Sequence, residues 1–158
     1  IIVGKGHAIE HACLYCEDLK VLISGDQILP RISPNVSVWP QEPEGNPLEL
    51  FLSSLPKFEH LPDDTLVLPS HDTPFTGLKP RLEQLAHHHD ERIEETYGVC
   101  ATPSTTAEVL KKLFTRELDD HQLFFALGES LAHLHYLLGE GRLKRETNGD
   151  GAYVFSQT

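Results

Sequence analysis

The sequence predicts a mixed α/β chain, with a sheet-and-helix part to about residue 99 and a small helical part closed by a hairpin over 100–158. Three observations predict it. Short apolar runs at 1–3, 12–16, 21–24 and 65–69 stop abruptly at polar residues, as buried strands do. The apolar period over 78–97 is too long for a strand and fits a helix. Composition shifts at 100–106, after which two helical patterns precede an Asn148-Gly149 turn between strand-like runs.

Taken in order, the first run ends at Gly4-Lys5-Gly6, whose glycines permit a sharp turn before His7. The polar stretch 17–20 joins 12–16 and 21–24 as a hairpin, and the third strand runs into Gly25-Asp26. Prolines at 30, 34, 40, 43 and 47 hold 29–47 as loop, with Trp39 as its anchor. Asn46-Pro47 opens a helix with Leu48, Leu50, Phe51, Leu52 and Leu55 as a broad apolar stripe, ended by Pro56. The strand 65–69 stops at Ser70-His71-Asp72. The helix over 78–97 sets Leu82, Leu85, Ile93 and Tyr97 on one side and takes Gly98 as C-cap. Its His87-His88-His89 run reads as solvated, with His89 nearest the apolar side. Helices follow at 106–115 and 119–138, the second capped by Asp119-Asp120 and expected to break near Gly128. With strands at 142–147 and 152–155, this order is similar to a winged-helix module.

Composition excludes several classes of function. At 39 % hydrophobic and 23 % charged residues, the 158-residue chain is neither disordered nor fibrous. No apolar run approaches the roughly 20 residues that span a bilayer, so no membrane partner is expected. The net charge of −11, carried mostly by the first hundred residues, lacks the positive field of a nucleic-acid binder. Arg142, Lys144 and Arg145 are the basic cluster of the second part and read as a solvated strand. Three cysteines, an odd number, fit a reducing, cytoplasmic setting. Cys13 and Cys16 have C-x-x-C spacing, but odd spacing along one strand points them to opposite faces. Both are expected to be buried and inert.

Metal chemistry is the positive signal. Asp26 and His71 each stand where a strand stops, and His7 lies just past the first strand. Imidazole and carboxylate are the N/O donors that zinc, manganese or iron accept. Gly6-His7 with His11, then Ile23-Ser24-Gly25-Asp26, then Leu68-Pro69-Ser70-His71 resemble the successive metal motifs of the metallo-β-lactamase superfamily. The resemblance is nearest to the glyoxalase-II-like and β-lactamase-like hydrolases with a C-terminal winged-helix extension. It implies the C-terminal half of an αββα sandwich over 1–99, followed by a winged-helix-like α+β module over 100–158.

The same resemblance implies site roles. His7 is a ligand of a first metal, Asp26 bridges two metals, His71 completes the second site, and His11 is structural. Two divalent ions are implied, zinc foremost, with manganese or iron as alternatives. They would generate a hydroxide from bridging water and hydrolyse a small-molecule ester, thioester or related substrate. Arg31 and Asn35, in the loop bordering this site, are candidate substrate contacts. The family's H-x-H-x-D-H motif does not occur. The chain is therefore read as a C-terminal fragment whose other ligands lie upstream of residue 1. Alone it is expected to be inactive, to bind metal weakly or not at all, and to cover its truncated face by self-association. The competing reading is a winged-helix nucleic-acid-binding or regulatory module beside a non-catalytic hydrolase-like domain.

Overall fold

Strand alternation sets the first sheet of the computed structural model, which describes residues 1–158. β1 (Ile2–Gly4), β2 (His11–Cys16) and β3 (Val21–Gly25) form an antiparallel meander, and β4 (Leu66–Pro69) pairs with β3 in parallel. Cys13, Leu22 and Val67 point to one face and are fully buried. Leu14, Ile23 and Leu66 point to the other and are 47, 48 and 39 % exposed. The pleat alone makes this division, because successive side chains leave a strand on opposite sides. Cys16 follows the same rule and is exposed, so of the two cysteines in β2 only Cys13 has the expected burial.

Parallel pairing of β3 and β4 demands a long connection. That connection contains α1 (Pro47–Ser54) and a short 3-10 helix, Leu55–Phe58. α2 (Leu78–Val99) then buries Leu78, Leu82, Leu85, His89, Ile93 and Thr96, a stripe at helical spacing. His89 is 1 % exposed and meets the ring of Phe51 edge-on at 5.4 Å, which corrects the solvated reading of this histidine. The helix also continues through Gly98, which does not take the left-handed conformation of a C-cap.

The chain folds as two compact units, Ile1–Asn35 with Glu49–His89, and Val36–Leu48 with Asp90–Thr158. The division falls within α2, whereas the change of composition at 100 follows the end of that helix. In the second unit, β5 (Ser104–Thr105) leads into α3 (Thr106–Leu113) and α4 (Asp120–Gly139), and β6 (Leu143–Thr147) with β7 (Tyr153–Gln157) closes the fold. The three strands order as β5-β7-β6, antiparallel throughout. Two residues are too few to show a period, so β5 left no trace in the sequence pattern.

Both helices begin with capping boxes, Thr105 with Glu108 and Asp119 with Gln122, each worth about 1 kcal/mol. α4 is not broken at Gly128. Glycine is there because the chain at 37–38 lies against the helix. The Val38 N–H donates to the Gly128 carbonyl at 3.1 Å, and a Cβ at 128 would stand 2.7 Å from Ser37 Cβ. Polar side chains along α4 bond to the preceding turn, Ser130 Oγ to the Ala126 carbonyl and His133 Nδ1 to that of Glu129, both at 2.8 Å. No helix is long and apolar enough to cross a membrane.

Candidate metal centre

The parallel pairing of β3 and β4 places both strand ends on one edge of the sheet. Gly25 pairs with Pro69, and the Ser70 N–H reaches the Gly25 carbonyl at 3.2 Å. Asp26 and His71, far apart in sequence, therefore emerge side by side. Gly25 turns the chain at φ +54°, where a Cβ would also collide with the ring of His11. His11 Nε2 bonds the Ser24 carbonyl at 3.1 Å, so it braces the strand end that carries Asp26, in keeping with a structural role. Ser24 Oγ donates to the Ile28 carbonyl at 2.8 Å and fixes the turn from the other side.

The three predicted ligands meet around one carboxylate. His7 Nε2 lies 3.5 Å from Asp26 Oδ2, and His71 Nε2 lies 3.2 Å from Asp26 Oδ1. Each oxygen thus faces a different imidazole. His7 Nδ1 contacts the Asn35 carbonyl at 2.9 Å. A carbonyl only accepts, so Nδ1 carries a proton and Nε2 is the ring nitrogen turned toward Asp26. Ser70 Oγ donates a short hydrogen bond to Asp26 Oδ1. His7 and Asp26 are about a quarter exposed, and His71 is 67 % exposed, so the site opens to solvent on the His71 side.

The donor set fits divalent metal. Two ligand atoms at 2.0–2.1 Å on a tetrahedral zinc stand about 3.3 Å apart, between the two spacings found here. The three side chains do not close on a single ion, and no group of three or more His, Cys, Asp or Glu is arranged to hold one. They form two imidazole–carboxylate pairs that share Asp26.

The substrate-contact candidates sit differently. Arg31 is largely exposed and pairs through Nε with Asp72 Oδ2 at 3.1 Å, next to His71 in the chain. Asn35 touches the site through its backbone carbonyl, which orients His7. Two residues escaped the sequence reading. Ser70 was foreshadowed only by its place beside His71. Arg81, on the first turn of α2, donates to the carbonyls of Leu29 at 2.6 Å and Ile32 at 2.8 Å and so clamps the loop leading to Asn35. Partial burial lowers its pKa from the usual arginine value. Nothing in the local pattern marks such a backbone clamp.

Comparison with known proteins adds an independent line. A family model described as metallo-beta-lactamase superfamily matches residues 1–71, and one described as metallo-beta-lactamase-like, C-terminal domain, matches 93–158. Among solved structures, a beta-lactamase domain protein from Burkholderia ambifaria is 50 % identical over 99 % of this chain and 47 % of its own, with a TM-score of 0.96. A metallo-beta-lactamase family protein from Thermus thermophilus is 35 % identical over 99 % of this chain and 48 % of its own, with a TM-score of 0.85. The comparison with curated proteins finds no match. The chain spans about half the length of the two solved relatives. With both parts of the chain matched by family models and both solved relatives aligned over 99 % of it, the chain belongs to the metallo-beta-lactamase superfamily.

Proposed function

We propose that His7, Asp26 and His71 are part of a dinuclear metal site in a metal-dependent hydrolase, completed by ligands outside this chain. The observation that carries the reading is the division of Asp26, whose two oxygens each face one imidazole. When bound, the ions supply Lewis-acid polarisation of the scissile bond's oxygen and lower the pKa of water toward neutrality. His7 offers Nε2 because the Asn35 carbonyl holds the proton on Nδ1, the outer support on which metal-binding histidines depend. Ser70 orients the shared carboxylate, and His71 holds the solvent-facing side. Zinc suits the donor set best, with manganese or iron as alternatives.

We assign the substrate to small-molecule esters, thioesters or related compounds. The net charge of −11 supports this, because it repels polyanions at long range. Arg31 is the candidate substrate contact, its guanidinium exposed and tethered only through Nε. We place the hydrolase part at 1–99 and a winged-helix-like domain at 100–158, read from the order of strand, two helices and hairpin. Its hairpin arginines are engaged by carboxylates, Arg142 by Glu94 and Arg145 by Glu44, which weighs against phosphate contact.

Metal analysis of the full-length protein tests the site. Two equivalents of zinc or manganese are expected, with Asp26→Asn losing metal and more than about 100-fold of ester or thioester hydrolysis. Unchanged metal content in that variant would sink the proposal.

A further inference from the structure

The second unit contains a concavity that the metal site does not use. It has a volume of about 360 Å³, inside the usual range for small-molecule pockets. Trp39, Phe124, Leu127, Leu131 and Tyr153 line it. Four of these are unusually exposed for their size: Trp39 37 %, Phe124 50 %, Leu127 39 % and Tyr153 50 %. Single exposed apolar residues need no explanation, but a cluster around one hollow does.

The walls are preformed. One wall is the chain carrying Pro40 and Pro43, whose ring-locked φ angles keep it stiff. It is fastened to α4 by the Val38–Gly128 hydrogen bond and by the close approach that glycine permits. Trp39 also packs against Phe124 and Phe125, with ring centroids 5.8 and 6.2 Å apart. Little ordering would be lost on binding.

One end of the hollow is polar and electrically balanced. Arg145 lies over the Tyr153 ring at 4.3 Å and forks onto Glu44, at 3.2 Å from Nη1 and 2.9 Å from Nη2. His135 is nearly buried, and its Nδ1 donates to the Gly45 carbonyl at 2.9 Å. In the neutral ring Nε2 is an acceptor. The polar end therefore offers cationic N–H donors beside an imidazole nitrogen, and Glu44 already offsets the charge of Arg145. A carboxylate ligand would have to displace Glu44. A hydrocarbon would leave the polar end without partners. A secondary amide has a carbonyl for Arg145, an N–H for His135 and no net charge.

We propose that this hollow is a binding site for a small neutral amide with an apolar chain or ring, with the amide at Arg145 and His135 and the apolar part against Trp39, Phe124 and Leu131. The inference is independent of the metal site. Calorimetric titration of the protein with N-methyloctanamide tests it, with octanoate and octylamine as charged counterparts. Saturable one-to-one binding of the amide is expected, at least tenfold tighter than either charged analogue. Trp39, the sole tryptophan of this chain, should report it as an emission change that Trp39→Phe removes. Leu131→Phe, which fills the hollow, should abolish binding, and Arg145→Met should weaken it about tenfold. Circular dichroism of both variants separates loss of binding from loss of fold. Tighter binding of octanoate, binding unchanged by Leu131→Phe, or no saturable heat with the unaltered protein would each overturn the proposal.

Discussion

Individual side chains show how far chemistry depends on surroundings that spacing alone does not reveal. The thiols of Cys13 and Cys100 are buried, which pushes both up to about 11 and leaves almost no thiolate at neutral pH. Cys16 is exposed. Under native conditions and dilute protein, N-ethylmaleimide is therefore expected to modify Cys16 within minutes, and Cys13 and Cys100 only in denaturant. Mass spectrometry of peptides would count this directly, and native labelling of Cys13 would contradict the burial argument. The ligand candidates were legible because each sits where an apolar run stops, a pattern visible in the chain itself. Their supports were not: the Asn35 carbonyl and the Arg81 clamp act through backbone atoms, which every residue has. His89 was misread for a related reason. Three consecutive histidines look solvated until Phe51 is known to lie against one of them.

Among the elements, strands and helices were largely legible and their interruptions were not. The strand ends at Gly25 and Pro69 and the capping at Asp119 follow local rules. Gly128 looked like a helix breaker because its reason, Ser37, lies far away in the chain. Gly128→Ala would gain about 1 kcal/mol of helix propensity and lose more to overpacking, since Ser37 Cβ is fixed to the backbone and cannot swing aside. A net loss of about 1–2 kcal/mol is expected in urea unfolding; a more stable variant would show that the loop yields freely. The β6–β7 hairpin has a pH dependence of its own. Hydrogen bonds from Arg145 and Arg142 hold the carboxyls of Glu44 and Glu94 below their usual range. A depressed carboxylate pKa means that the stabilisation is complete above the unfolded value of about 4.3 and fades as pH falls through the lower folded value. Amide exchange in β6, compared at matched intrinsic rates, is expected to quicken below that point and to lose this dependence in a Glu44→Gln, Glu94→Gln double variant.

For the whole molecule, the exposed face of the first sheet dominates. Leu14, Ile23 and Leu66 stand together there, with Cys16 at one end of the same face. A chain of this 158-residue sequence is expected to self-associate through that face. Sedimentation velocity should show mass rising with concentration, while maleimide labelling of Cys16 slows in step, and Ile23→Lys should restore the monomer. A monomer at every concentration would refute it. The parallel pairing of β3 with β4 also bears on how the fold is reached. No local turn brings Asp26 near His71, and the long intervening loop must close before the two side chains meet, at an entropic cost that local hairpins avoid. Site assembly thus belongs to the slow, non-local part of folding. A cation held by this pair would clasp a long loop shut and, by favouring only the closed state, slow its reopening.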